Sequence, residues 1–72
     1  MAVYVVDRHS DEAFNRISDL FYNHFCPDDW DFILYGPNPH EIESLASRLT
    51  RFNAEETKQV SADMWMTVVY HS

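Results

Sequence analysis

The chain has 72 residues, 46% of them hydrophobic and 15% aromatic, and twelve Asp and Glu against five Lys and Arg give a formal net charge of −7. So many aromatic residues beside a single Gly exclude a disordered chain, and the length predicts one domain with one modest core. The acidity repels phosphate backbones and anionic lipid headgroups and attracts basic protein surfaces or cations, which argues against direct nucleic-acid or membrane binding.

Ala2 to Val6 is a run of β-branched and aromatic residues closed by Asp7, and it predicts a strand. The stretch Met1-Ala2-Val3-Tyr4-Val5-Val6-Asp7-Arg8 lacks the basic start and long apolar run of a signal peptide. No apolar stretch approaches the roughly 20 residues that span a bilayer. One cysteine, Cys26, permits no internal disulfide framework and fits a reducing compartment. These features predict a soluble, cytoplasmic protein.

Ser10 reads as a helix N-cap, with Asp11 and Glu12 in the first turn where the backbone dipole favours carboxylates. Phe14, Ile17, Phe21 and Phe25 follow at helical spacing, with Ala13, Leu20 and His24 beside them. Pro27 ends this helix near Phe25, because a residue before proline avoids the helical region. Phe32 to Tyr35 predicts a second strand and Gly36-Pro37 a turn. Asn38-Pro39-His40-Glu41 then marks a helix start: Asn38 caps, Pro39 suits the first position, and Glu41 can reach back as in a capping box. Ile42, Leu45, Ala46 and Leu49, with Phe52 as a further candidate, form the apolar stripe; Arg48 and Arg51 suit the last turn. Asn53 to Asp63 is polar, with Thr57 to Ser61 readable as an edge strand or as loop, and Met64 to His71 predicts a strand.

The order β-α-β-α-(β)-β predicts a small α/β (α+β) two-layer sandwich, two helices on a three- to four-stranded sheet, with a right-handed parallel connection between the first two strands. Alternation splits the strands into Tyr4 and Val6 against Val3 and Val5, Trp30, Phe32 and Leu34 against Ile33 and Tyr35, and Met64, Met66, Val68 and Tyr70 against Trp65, Thr67, Val69 and His71. Both sets are apolar. If the helices share one face, Tyr4, Tyr35 and Trp65 belong to an open aromatic face suited to a homodimer or a docked partner. If they lie on opposite faces, the same residues are core.

Candidate chemistry is sparse. Asp7, His9 and Asp11 follow the carboxyl end of the first strand and could bind a divalent cation in a metal-dependent enzyme. The simpler assignment makes Asp7 a strand end, Asp11 a helix-dipole partner and His9 a solvated side chain. His24 and Cys26 are too few for zinc, and His40 and His71 add no recognised spacing. A Cys26 nucleophile with His24 or His71 lacks an orienting third group, and one Gly allows no phosphate-cradling loop. Neither a cofactor nor a catalytic activity is expected.

The densest feature is acidic: Asp28, Asp29 and Asp31 around Trp30, with Glu41, Glu43, Glu55, Glu56 and Asp63 adding carboxylates. Such a surface keeps an aromatic domain soluble. It also complements a row of Lys and Arg in a nucleic-acid channel, with carboxylates in place of phosphates and Trp30 as a central anchor.

In size, acidity, compact α/β order and lack of catalytic motifs, the chain resembles the small acidic proteins that bacteriophages encode against host defences, anti-CRISPR proteins among them. The likeness is one of overall type and includes no signature residues, so it assigns no residue a role. It implies a stoichiometric inhibitor that binds a host protein or ribonucleoprotein in the bacterial cytoplasm. The expected function is therefore acidic docking on a basic, nucleic-acid-handling protein, the alternatives being a homodimeric assembly module and the metal-dependent enzyme.

Overall fold

The computed structural model describes residues 3–8, 11–49 and 52–71, with the backbone alone described at 11, 52–55 and 71. Its elements are β1 (Tyr4–Asp7), α1 (Asp11–His24), β2 (Trp30–Gly36), α2 (Pro39–Arg48), β3 (Phe52–Ser61) and β4 (Met64–His71). The fold is α+β, two helices on a four-stranded antiparallel sheet of order β1-β2-β4-β3. The radius of gyration, 11.0 Å, matches the roughly 11 Å expected of one globule of this length.

Local sequence accounts for the helices. In α1 the stripe Ile17, Phe21 and Phe25 is buried, and Ala13, Phe14 and Leu20 pack against it. The Phe25 N–H still donates to the Phe21 carbonyl at 2.8 Å, so helical bonding runs one residue past His24 before Pro27 stops it. In α2 the Asn38 backbone is extended, and its Oδ1 accepts the His40 N–H at 2.9 Å, with Pro39 at the first position. Ser10 and Arg51, read as a cap and a last-turn cation, lie outside the described residues. Phe52 does not extend the α2 stripe; it opens β3, paired with His71. The polar stretch before the last strand is a ten-residue edge strand.

β1 and β2 are antiparallel neighbours, not a parallel pair. The handedness rule governs parallel strands, whereas α1 does not run back along β1. It crosses the sheet, packing on both β1 and β3. The Phe25–Asp29 segment then returns the chain to the end of the sheet where β1 stops, and the Arg8 N–H donates to the Asp31 carbonyl at 2.9 Å.

The helices take opposite faces. Val6, Ile33, Val60, Met66 and Val68 pack with α1, while Leu34 and Val69 pack with Ile42 and Ala46 of α2. The layers are thus α1, sheet and α2, three where a two-layer sandwich was expected. Adjacent residues Ile33 and Leu34 are both fully buried because each faces a different helix.

One irregularity positions the rest. The β2–β4 register shifts between Trp30 and Phe32, leaving Asp31 as the extra residue of a bulge. Strict alternation puts Trp30 on the face of Phe32 and Leu34. The bulge turns it to the α1 face instead, where its ring lies 4.9 Å from Phe21 and 5.5 Å from Phe14 between centroids.

Phe21 is therefore the hub of the α1 core, with ring partners at Phe14, Phe25 and Trp30. Phe21→Ala is expected to cost about 3–5 kcal/mol, a large share of the stability of a domain this small. Urea denaturation should show the midpoint collapsing, while Ser47→Ala, on the exposed side of α2, shifts it little.

Candidate protein-binding surface

The start of β2, the ends of β1 and β4 and the first half of β3 meet at one end of the sheet, where Asp7 pairs with Phe32, Trp30 with Tyr70 and Glu56 with Val68. The loop ahead of β2 adds Asp28 and Asp29, both exposed, and the bulge adds half-buried Asp31. Asp29 takes φ 46°, a left-handed conformation that Asp tolerates better than most residues. It turns the chain from the loop into β2.

Tyr70 reports the electrostatics of this end. Its phenol pKa is raised, first by burial and then by the carboxylates of Glu56 and Asp28 and by Cys26. Asp28 and Glu56, distant in sequence, therefore act on the same hydroxyl. Two cations frame the loop and each is held by a carbonyl and a ring. Arg8 Nη1 donates to the Trp30 carbonyl at 3.1 Å with its guanidinium 5.6 Å from the Trp30 ring centroid. Lys58 Nζ donates to the His24 carbonyl at 2.8 Å and lies 4.9 Å from the Phe25 ring centroid.

The structure divides the acidic residues singled out from sequence. Asp28, Asp29, Asp31 and exposed Glu56 share this end. Glu55 is placed here by its backbone pairing with Val69. Glu41 and Glu43 belong to the first half of α2, which begins beyond Gly36 at the opposite end of β2. Trp30 is no surface anchor: it is 4% exposed, because the bulge delivers it to the core.

The aromatic docking face is likewise not one surface. Tyr4 stacks on Tyr35 at 5.2 Å on the α1 side, while Trp65 packs with the α2 core. With a helix on each face, no open sheet face joins them. Of the metal-site candidates, Asp7 is exposed at the end of β1, and His9 and the Asp11 side chain lie outside the described residues. Among the described residues, no group of three or more His, Cys, Asp or Glu could hold a metal ion. His24 Nδ1 lies 3.0 Å from the Leu20 carbonyl and bonds back onto its own helix, while Cys26 is exposed. Tyr70, Arg8 and Lys58 were not singled out by sequence, and only the β-strand pairing brings them here.

Fold and surface thus define a small α+β domain that gathers Asp28, Asp29, Asp31 and Glu56, beside Arg8 and Lys58, at one end of its sheet. Among the described residues no helix is long and apolar enough to cross a membrane. No protein-family model matches the chain, and comparison with curated proteins and with solved structures finds no match.

The Tyr70 shift has a definite sign. An unfolded tyrosine titrates near pH 10, and the folded value lies higher. The fold therefore favours the neutral phenol, and this contribution is present below about pH 10 and is lost as pH rises through the folded value. Thermal melts across this range should fall more steeply for wild type than for Tyr70→Phe; parallel curves would remove Tyr70 as the source.

Proposed function

We propose that the protein is a non-catalytic, stoichiometric inhibitor that docks its acidic end on a basic, nucleic-acid-handling protein or ribonucleoprotein of a bacterial cell, in the manner of anti-CRISPR-like proteins. The observation carrying this reading is the gathering of Asp28, Asp29, Asp31 and Glu56 from separate segments at one end of the sheet, with Asp28 and Glu56 converging on Tyr70. Carboxylates displayed this way meet Lys and Arg that otherwise hold phosphates, and they steer association from a distance. Half-buried Tyr70, on whose phenol Asp28 and Glu56 both act, serves as the aromatic contact in place of Trp30. An aromatic ring with a polar tip suits such a contact, since tyrosine is among the residues that dominate interface energetics. A cytoplasmic site of action belongs to the same proposal.

The test is capture from a bacterial lysate at low and high salt, followed by titration of the recovered protein. Asp28→Lys with Glu56→Lys should weaken binding at least tenfold, about 1.4 kcal/mol, and the nucleic-acid ligand should compete with the wild-type protein. Glu41→Lys with Glu43→Lys, at the other end of β2, should leave affinity unchanged. Equal loss from both pairs would reduce the interaction to net charge, and loss from neither would overturn the reading.

A further inference from the structure

The sheet's two edges differ in how well they are protected. The β3 edge carries two register irregularities and the charged residues Glu56 and Lys58, the usual devices against pairing with another chain. The β1 edge is short, four residues, which is itself a form of protection, but it has neither a bulge nor a lysine nor a proline. Its four residues, Tyr-Val-Val-Asp, pair with β2 in unbroken register. Tyr4 is 55% and Val5 49% exposed, two of the three most exposed large hydrophobic residues described.

Backbone geometry defines what this edge offers. The Arg8 N–H donates to the Asp31 carbonyl. In an antiparallel ladder, residues two apart turn the same way, so the amides of Val6 and Tyr4 also turn toward β2. The N–H and C=O of Val5 then turn away from β2, toward the edge of the sheet.

Charge selects the occupant. A second copy brings another seven net negative charges. A basic segment is attracted to the exposed Asp7 beside the edge and to Asp31 one strand further in, a distance of about 10 Å from an added strand, or two strand spacings. We propose that β1 is a strand-addition site for an extended, Lys- or Arg-bearing segment of the partner, which bonds main chain to main chain at Val5 with its basic side chains directed to Asp7 and the Asp28–Asp31 loop. This rests on the basic partner proposed above and adds the mode of contact.

A short peptide of alternating Lys and Val is the probe, with calorimetry for affinity and amide hydrogen exchange for location. Binding should slow exchange at Val5 at least tenfold. Val5→Pro removes the outward N–H while sparing the amides that face β2, a position where an edge strand accepts proline, and it should weaken the peptide at least tenfold. The same peptide N-methylated at alternate residues keeps its charge, loses its donors and should bind wild type at least tenfold more weakly, which tests the idea even where Val5→Pro fails to fold. Equal affinity for the methylated and parent peptides would overturn strand addition while leaving charge-dependent docking intact. A dimer in sedimentation that Val5→Pro dissolves would also overturn it, because the edge would then be occupied by a second copy.

Discussion

The structure depends on two central strands that are apolar on both faces. In β2 the neighbours Ile33 and Leu34, and in β4 the neighbours Val68 and Val69, are all fully buried, at about 1.5–3 kcal/mol for each side chain taken out of water. Since successive residues of a strand point opposite ways, one helix cannot cover both members of either pair. The chain supplies one amphipathic helix per face. With both faces covered, the sheet itself presents only its edges and its ends.

The bulge at Asp31 ties the acidic end to this core. One extra residue sends Trp30 under α1 while its neighbours Asp28, Asp29 and Asp31 remain at the surface. Arg8 closes the joint from outside, bonding the Trp30 carbonyl and covering its ring. The carboxylates are thus displayed on a segment whose central side chain, Trp30, is buried in the α1 core. Such anchoring lowers the conformational entropy that a flexible acidic tail would lose on binding. It also links the loop to stability, since a change at Trp30 disturbs the core and the loop together.

Local signals were legible in the sequence and long-range geometry was not. Asn38-Pro39 marked the start of α2 because capping is a matter of neighbouring residues, and the Phe14-Ile17-Phe21-Phe25 stripe marked the buried side of α1 for the same reason. Trp30 was assigned to the wrong face because alternation assumes an uninterrupted pleat, and nothing in Asp-Asp-Trp-Asp announces a bulge. The antiparallel pairing of β1 and β2 was hidden because a helix between two strands suggests a parallel crossover unless it is known to lie across the sheet. β3 was undecided because an edge strand needs few apolar residues. Val60 is its one described member in the core, and Glu56 and Lys58 look like loop until paired with Val68 and Met66. The acidic end itself was half legible: the Asp28–Asp31 run is local, but its union with Glu56 and Tyr70 exists only through β3–β4–β2 pairing.

That union also decides how the net charge acts. The ends of β2 are six residues apart, about 20 Å, whereas charges in water at physiological ionic strength are screened over about 8 Å. The carboxylates of α2's first half therefore contribute little to a contact made at the Asp28 end. Long-range attraction would draw on the whole of the −7, whereas a partner docked at the Asp28 end, as proposed, would feel the local group. A partner that reads mere acidity has no preference between the two ends. One that reads the arrangement needs Glu56 and the Asp28 loop brought to Tyr70 through the β3–β4–β2 pairing, and that distinguishes recognition from a surface that is acidic only to stay in solution.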